Sequence, residues 1–275
     1  MPYSDLLVRA RRALLDAVLA LDAHRDALVL VGAQAIYLYT GDADVEIATT
    51  TRDSDLAVIP QALGPDPLIA EAMAQAGFHR DAQGRQGLWL TPDGVEVELL
   101  VPAGLQPGRT RGARIPPHDP RAARRVAGLE AAAVDNRVMT LRALDPDDDR
   151  SAQIKVAGPA ALVVAKTHKI ADRLAELRER RKDRLADKDA HDVYRLLRAV
   201  AADEVVSSFD RLLRTETSRG PARAALGALS ELAASPASPL CVMAGRAEEL
   251  VGDPEQVAAA TWALVQEILE RLQDA

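Results

Sequence analysis

Cysteine is almost missing from this chain. Cys241 is the single one in 275 residues, so neither an intrachain disulfide nor a thiolate zinc cluster can form. Aromatic residues make up only 3%, which argues against base-stacking platforms such as an RRM or an OB-fold. Long apolar runs are lacking too. The longest nearly uncharged stretch, Ala27 to Thr40, falls short of the roughly 20 residues needed to cross a bilayer, so no membrane partner is expected. Charges interrupt the opening MPYSDLLVRARRALLDAV at helical spacing, unlike a secretory signal, and a soluble cytoplasmic protein is the expectation. There is no glycine-rich Walker loop, no G-x-S-x-G elbow and no H-E-x-x-H pair.

What is present is a globular balance. Hydrophobic residues are 48% and charged residues 27%, enough to build a sizeable core and to exclude disorder along the whole chain. The net charge of −7 predicts nothing about nucleic acid, because a net value hides local patches.

The pattern divides the chain into an α+β half, 1–158, and a helical half, 159–275. Leu6, Leu7, Ala10, Leu14, Val18 and Leu21 share one helical stripe near the start. ALVLVG at 27–32 reads as a buried strand feeding a turn, Gln34 to Tyr39 as a short helix, and RDSDLAVIP as a strand with a polar entry. Pro67 to Phe78 reads as an amphipathic helix. LWL and VEVELLVP, joined through Pro92-Asp93-Gly94, read as a hairpin. A loop over 102–120, a helix near 120–130 and two strands, VMTLRAL and AQIKV, complete this half. Beyond Pro159 helix follows helix, and Asp253-Pro254-Glu255-Gln256 is a helix start with an N-cap aspartate and proline in the first turn.

Chemistry concentrates at four places. In an extended strand Asp53 and Asp55 point to one face, with Thr51 on the same parity. A D-x-D pair alone also suits a solvated turn. A second carboxylate source sharpens the reading: in VEVELLVP, Val95, Val97 and Leu99 face one way while Glu96 and Glu98 face the other, and a hairpin strand can bring Glu98 beside the Asp pair. Three carboxylates within ~4 Å repel by several kcal/mol per pair at an effective dielectric of ~20, so such a cluster implies a cation. All-oxygen ligation favours Mg²⁺ or Mn²⁺ over zinc.

Lys166 falls on the apolar stripe of Leu162, Val163, Ile170, Leu174 and Leu177, where an aliphatic residue is expected. A buried lysine requires a partner or an anionic ligand. Asp189 lies one turn before Val193 on the apolar side of the next helix, with Asp192 as a competing candidate, and an inward Lys166 could meet an inward Asp189. Lys169 and Arg178 are expected on a solvated face, as are His168 and His191. Arg109 to Arg125 contains six arginines and one acid, Asp119, and Arg178 to Arg184 is a second basic run. Both fit either a solvated face or a phosphate-rich substrate.

Taken in order, LVGAQAIYLY, TTRDSDLAV, VEVELL, AKTHKIADR and KDAHDVYRLL resemble the AbiEii/AbiGii-type nucleotidyltransferases of the DNA polymerase β-like superfamily, over roughly residues 27 to 198. The resemblance implies a polymerase-β-like core with a small mixed sheet and a metal site, followed by a helical C-terminal domain that closes over the nucleotide. The family's D-x-D maps onto Asp53 and Asp55, its helix lysine onto Lys166, and its K-D-x-x-D onto Lys188, Asp189 and Asp192. Three departures stand out. Gly32-Ala33 replaces a Gly-Gly or Gly-Ser turn, Glu98 replaces a third aspartate, and Thr49 replaces an arginine.

The resemblance implies transfer of a nucleoside monophosphate from an NTP to a hydroxyl, a tRNA 3′ end or other structured RNA, by the toxin of a toxin–antitoxin system with a possible cognate antitoxin. A protein hydroxyl is the other acceptor class. In this reading Asp53, Asp55 and Glu98 hold Mg²⁺ or Mn²⁺, and Glu98 helps activate the attacking hydroxyl. Gly32, Thr51, Arg52 and Ser54 contact the nucleotide, Lys166 neutralises the triphosphate, and Asp189 orients Lys166. Arg121, Arg124 and Arg125 are expected to meet RNA phosphates. A methionine at 166 is expected to be tolerated by the fold. The rival reading is a nucleotide-binding or antitoxin-interacting module without catalysis, which the Glu98 and Gly32-Ala33 departures support.

Overall fold

Eight strands in one mixed sheet carry the N-terminal part of the chain, and helices alone carry the C-terminal part among the described residues. The computed structural model describes residues 4–41, 53–106, 108, 110–179, 185–250 and 252–274. Of these, 4–38 and 53–157 form one unit, and 39–41 with 158–274 form a second.

In the first unit, helix α1 (Asp5–Ala20) starts where the Ser4 hydroxyl accepts the Leu7 N–H at 3.3 Å. Its Leu7, Ala10, Leu14 and Val18, and Leu21 just beyond it, are buried as their spacing predicts, whereas Leu6 is exposed. Strand β1 (Leu28–Val31) is buried at every position and turns through Gly32 into α2 (Gly32–Thr40). Strand β2 (Asp53–Val58) follows. Helix α3 (Ile69–Gln75) is shorter than the expected 67–78. Pro67 has no N–H to offer, Leu68 is extended, and Gly77 leaves the helix at φ +87°.

Strands β3 (His79–Arg80), β4 (Leu88–Leu90) and β5 (Glu96–Pro102) pair antiparallel in succession, so the hairpin through Pro92-Asp93-Gly94 forms as read. The helix expected near 120–130 is absent. That stretch forms β6 (Arg124–Val126), parallel to β5, and a single 3₁₀ turn at Glu130–Ala133. The Glu130 carboxylate accepts the N–H groups of Gly104 (2.8 Å) and Gly128 (2.9 Å), which fixes this turn in place. Strands β7 (Asn136–Arg142) and β8 (Ser151–Ala157) form a second hairpin.

The strand order is β3-β4-β5-β2-β1-β8-β7, with β6 also beside β5. β1 runs antiparallel to β2 and parallel to β8, and β2 runs parallel to β5. The architecture is α+β, with a larger sheet than the small one expected.

The second unit comprises α4 (Pro159–Arg178), α5 (Asp187–Ala199), α6 (Ala202–Arg214), α7 (Glu216–Leu232), α8 (Pro239–Ala247) and α9 (Pro254–Gln273). Val163, Ile170, Val193, Leu196, Phe209, Leu212, Leu240 and Val265 are buried within it. Asp253 caps α9 by accepting from Glu255 and Gln256 N–H, as its sequence indicates.

Candidate functional site

The carboxylates of the first unit are brought together by strand register. Asp53 lies opposite Glu96 and Asp55 opposite Glu98 on parallel strands, which are spaced about 4.8 Å apart. Along β2 and β5 these four residues alternate with buried neighbours and are themselves half-buried, so all four share one face. Gly32 closes on that face. At φ +71° it turns β1 into α2, and a Cβ there would stand 2.3 Å from Asp55 Oδ2. The unspent N–H groups of a helix's first turn favour an anion, and glycine permits this close approach.

Two arginines engage the glutamates. Arg124 donates to Glu98 at 2.6 Å, and Arg85 bridges Asp81 (3.0 Å) and Glu96 (3.2 Å). The hydrogen bonds from Arg85 hold the Asp81 carboxyl below its usual range. Ser54 points to the opposite, buried face, where its hydroxyl donates to the Ala10 carbonyl at 3.1 Å. This corrects the expectation that the Ser54 hydroxyl serves phosphate oxygens. Thr51 and Arg52 lie outside the described residues.

Among the described residues no three carboxylate, imidazole or thiol groups converge on a metal position. The donor chemistry fits a smaller requirement. Mg²⁺ is commonly held by one or two carboxylates, with water and substrate phosphates completing the shell. Asp53 and Asp55 supply such a pair, and Glu98 beside them accepts from Arg124. A separate cleft of about 180 Å³ is lined by Arg9, Arg12, Asp16 and Asp93. Its charges are paired with one another and with Asp145 and Arg150, and β2 takes no part in it.

In the second unit, Lys166 and Asp189 meet as the apolar stripes suggest. Lys166 Nζ lies 2.7 Å from Asp189 Oδ1 and 2.6 Å from Asp192 Oδ2, so both candidate aspartates serve it. Burial opposes the charged ammonium, but Asp192 and Asp189 outweigh it and raise the Lys166 pKa. For Asp189 burial again opposes the charge, and Lys166 and Lys169 overcome it, holding the carboxyl well below the usual range. Lys169 Nζ reaches Asp189 Oδ1 at 2.9 Å and Arg173 reaches Oδ2 at 2.7 Å. Arg195 lies 3.9 Å from Asp192 and donates to Thr40 at 2.7 Å.

Two expectations are overturned here. Lys169 is not an ordinary solvated charge: with Lys166 and Arg173 it forms an i, i+3, i+7 row on α4 facing Asp189. His191 is not on a polar face either. It is 2% exposed, and its Nε2 lies 2.7 Å from Glu248 Oε1. Each of these residues finds a carboxylate partner on another element, and hydropathy alone does not register the partner.

Arg124 and Arg125 are half-buried and engaged within the fold, whereas Arg111, Arg114 and Arg121 are exposed. Arg125 donates to the carbonyls of Gln106 (3.0 Å), Ala103 (3.2 Å), Thr110 (3.3 Å) and Gly108. It therefore ties Ala103, Gln106, Gly108 and Thr110 to one side chain. Arg124 is engaged with Glu98. Arg121 is the most open of the three, 69% exposed, with Asp119 at 3.4 Å.

No family model, curated protein or solved structure matches the chain.

Proposed function

We propose that this chain is a metal-dependent nucleotidyltransferase that moves a nucleoside monophosphate from an NTP to an acceptor hydroxyl. The observation carrying this reading is the Asp53–Asp55 pair on β2, closed on one side by Gly32 and bordered in register by Glu98. The order β1, Gly32 turn, α2, then a neighbouring strand bearing D-x-D supports a polymerase-β-like core. When bound, Mg²⁺ or Mn²⁺ would supply charge neutralisation at the phosphates, held by Asp53 and Asp55.

The acceptor oxygen bonds the α-phosphorus, and the bond from that phosphorus to the oxygen bridging to the β-phosphate breaks. Pyrophosphate leaves with that electron pair. The hydroxyl's proton passes to a carboxylate of the β2–β5 face. Glu98 holds Arg124 beside that face. An RNA acceptor and a toxin role rest on the family resemblance and on the open Arg121.

The decisive experiment incubates the protein with each α-labelled NTP and Mg²⁺, with and without total RNA, and separates RNA and protein on a gel. Label in RNA or protein that disappears with Asp55→Asn supports the reading. No label under any condition removes it. The second reading, a nucleotide-binding or antitoxin-interacting module without catalysis, is favoured by one observation, the 2.6 Å pair between Arg124 and Glu98. NTP binding by calorimetry without pyrophosphate release would select it.

A further inference from the structure

Among the described residues, strand β7 pairs only with β8, and the sheet ends there. One hydrogen bond shows which of its backbone groups turn outward. The Ala143 N–H donates to the Arg150 carbonyl at 3.0 Å, and this pair continues the register that sets Arg142 opposite Ser151. Opposed residues of an antiparallel pair alternate between exchanging hydrogen bonds and not doing so. Leu141, Met139 and Arg137 therefore spend their backbone groups on β8. Arg142, Thr140, Val138 and Asn136 turn theirs away from it. The Arg142 carbonyl accepts from Arg11 at 3.0 Å, which closes that end. The open row is centred on Val138 and Thr140, each with one donor and one acceptor to offer.

Side chains along this row are open as well. Val138 is 63% exposed. Thr140 and Arg142 are exposed on the same face, and Arg137 on the other. Lys155 stands opposite Val138 on β8. The two strands β7 and β8 together carry Arg137, Arg142 and Lys155 and no acidic residue. In a chain of net charge −7, this margin is locally basic.

We infer that β7 is a docking edge for an extended acidic segment of a partner protein, which adds to the sheet as a further strand. Strand addition draws affinity from main-chain hydrogen bonds and specificity from alternate side chains. Val138 and Thr140 supply the main-chain groups, and Val138 takes an apolar cross-strand neighbour. Arg142 and Arg137 place a cation near each end of the row, where the segment carries carboxylates. A copy of β7 brings the same cations and no carboxylate to meet them. A nucleic acid has no row of alternating donors and acceptors to match the strand. The edge is separate from the carboxylate face, since β1 and β8 lie between β2 and β7.

The test uses the full chain and a set of capped, fluorescent heptapeptides of alternating β-branched and polar residues. One set is acidic at both ends, and a matched set carries lysine there. The acidic set should bind at least about fivefold more tightly by anisotropy, the worth of an exposed ion pair. Arg142→Glu should narrow that gap. Thr140→Pro removes an outward N–H and leaves the β8 bonds intact, which an edge strand tolerates. It should weaken binding about tenfold with a parent-like urea midpoint.

A further measurement requires no variant. Amide exchange resolved by NMR should be fast at Val138 and Thr140 in the free chain and slow with the acidic peptide bound. Met139 and Leu141 should be slow in both states. Absence of binding by the acidic set, equal affinity of the two sets, or unprotected Val138 and Thr140 amides would each overturn the docking edge. Protection of those amides by a short polyuridylate in place of peptide would assign the margin to nucleic acid.

Discussion

Gly32 lies against Asp55 with no room for a side chain, since a Cβ would stand 2.3 Å from Oδ2 and 3.3 Å from the Asp55 Cβ. The backbone there is left-handed, at φ +71°. Gly32→Ala therefore carries two costs. The left-handed conformation costs about 1–2 kcal/mol for a residue with a Cβ, and the carboxylate must move. Gly84 at φ +75°, with nothing within 4 Å of its would-be Cβ, carries only the first. Gly84→Ala is expected to lower the melting temperature while keeping transfer activity. Gly32→Ala should lose both, and equal activity in the two would detach Gly32 from the site.

Neighbours on β2 should behave oppositely. Asp53→Asn and Asp55→Asn are expected to abolish label transfer with little change in urea midpoint. Ser54→Ala should retain transfer and lose about 1 kcal/mol, the value of one buried hydrogen bond, because its hydroxyl serves the Ala10 carbonyl. Activity that follows Ser54 and not the aspartates would place the chemistry elsewhere.

Lys166→Met is expected to be strongly destabilised. A methionine suits the apolar stripe, which is why tolerance looks reasonable from sequence. The structure gives Lys166 two carboxylates at 2.7 and 2.6 Å, and removing one member of a buried ionic cluster costs about 3–5 kcal/mol. Urea unfolding of Lys166→Met and Asp189→Asn measures this directly, and parent-like midpoints would show the cluster to be weakly coupled to the fold.

Much of this arrangement is legible in the chain. The alternation in VEVELLVP and the parity of Asp53 and Asp55 fix the shared face, and the Pro-Asp-Gly turn fixes the β4–β5 hairpin. The inward positions of Lys166 and Asp189 follow from helical periodicity. What escapes has a common cause. Lys169 and His191 look solvated because polarity is read as exposure, yet each is matched by a carboxylate on another element. Three-residue β6, with two arginines, shows no strand signal of its own. It exists because β5 offers an open edge, and Glu98 a partner for Arg124.

Two pH effects follow from the α4–α5 cluster. The Asp189 carboxyl is depressed below its ordinary 3.8, so its stabilisation is complete above that value. It is lost as pH falls through 3.8 towards the lower native value. Asp189→Asn should flatten the acid limb of the stability curve, and an unchanged limb would assign acid sensitivity to other groups.

Lys169 is shifted the other way. Burial and then the charge of Lys166 lower its pKa below 10.5, with Arg173 adding and Asp189 opposing. Amine acylation of Lys169, read by mass spectrometry, should accordingly set in at lower pH than that of an exposed lysine. Onset at the same pH as an exposed lysine would show that burial and the neighbouring cations do not act on it.

The RNA expectation narrows to Arg121. Arg121→Glu should weaken RNA binding and reduce its salt slope by about one phosphate's worth, with stability unchanged. Arg125→Gln should instead release the carbonyls of Ala103 and Gln106, seen as faster proteolysis near them. Loss of RNA affinity only in the Arg125 variant would point to loop shape as the determinant.

The ends of the sheet bear on how the protein behaves at high concentration. One margin is made of two- and three-residue strands, β3 and β6, too short to template a neighbour. The other, β7, is seven residues long, with Val138 63% exposed. Its Arg137 and Arg142, both exposed, lie on either side of that valine. Such flanking charges act as gatekeepers against strand-to-strand aggregation. They let an extended ribbon stay open without recruiting copies of itself.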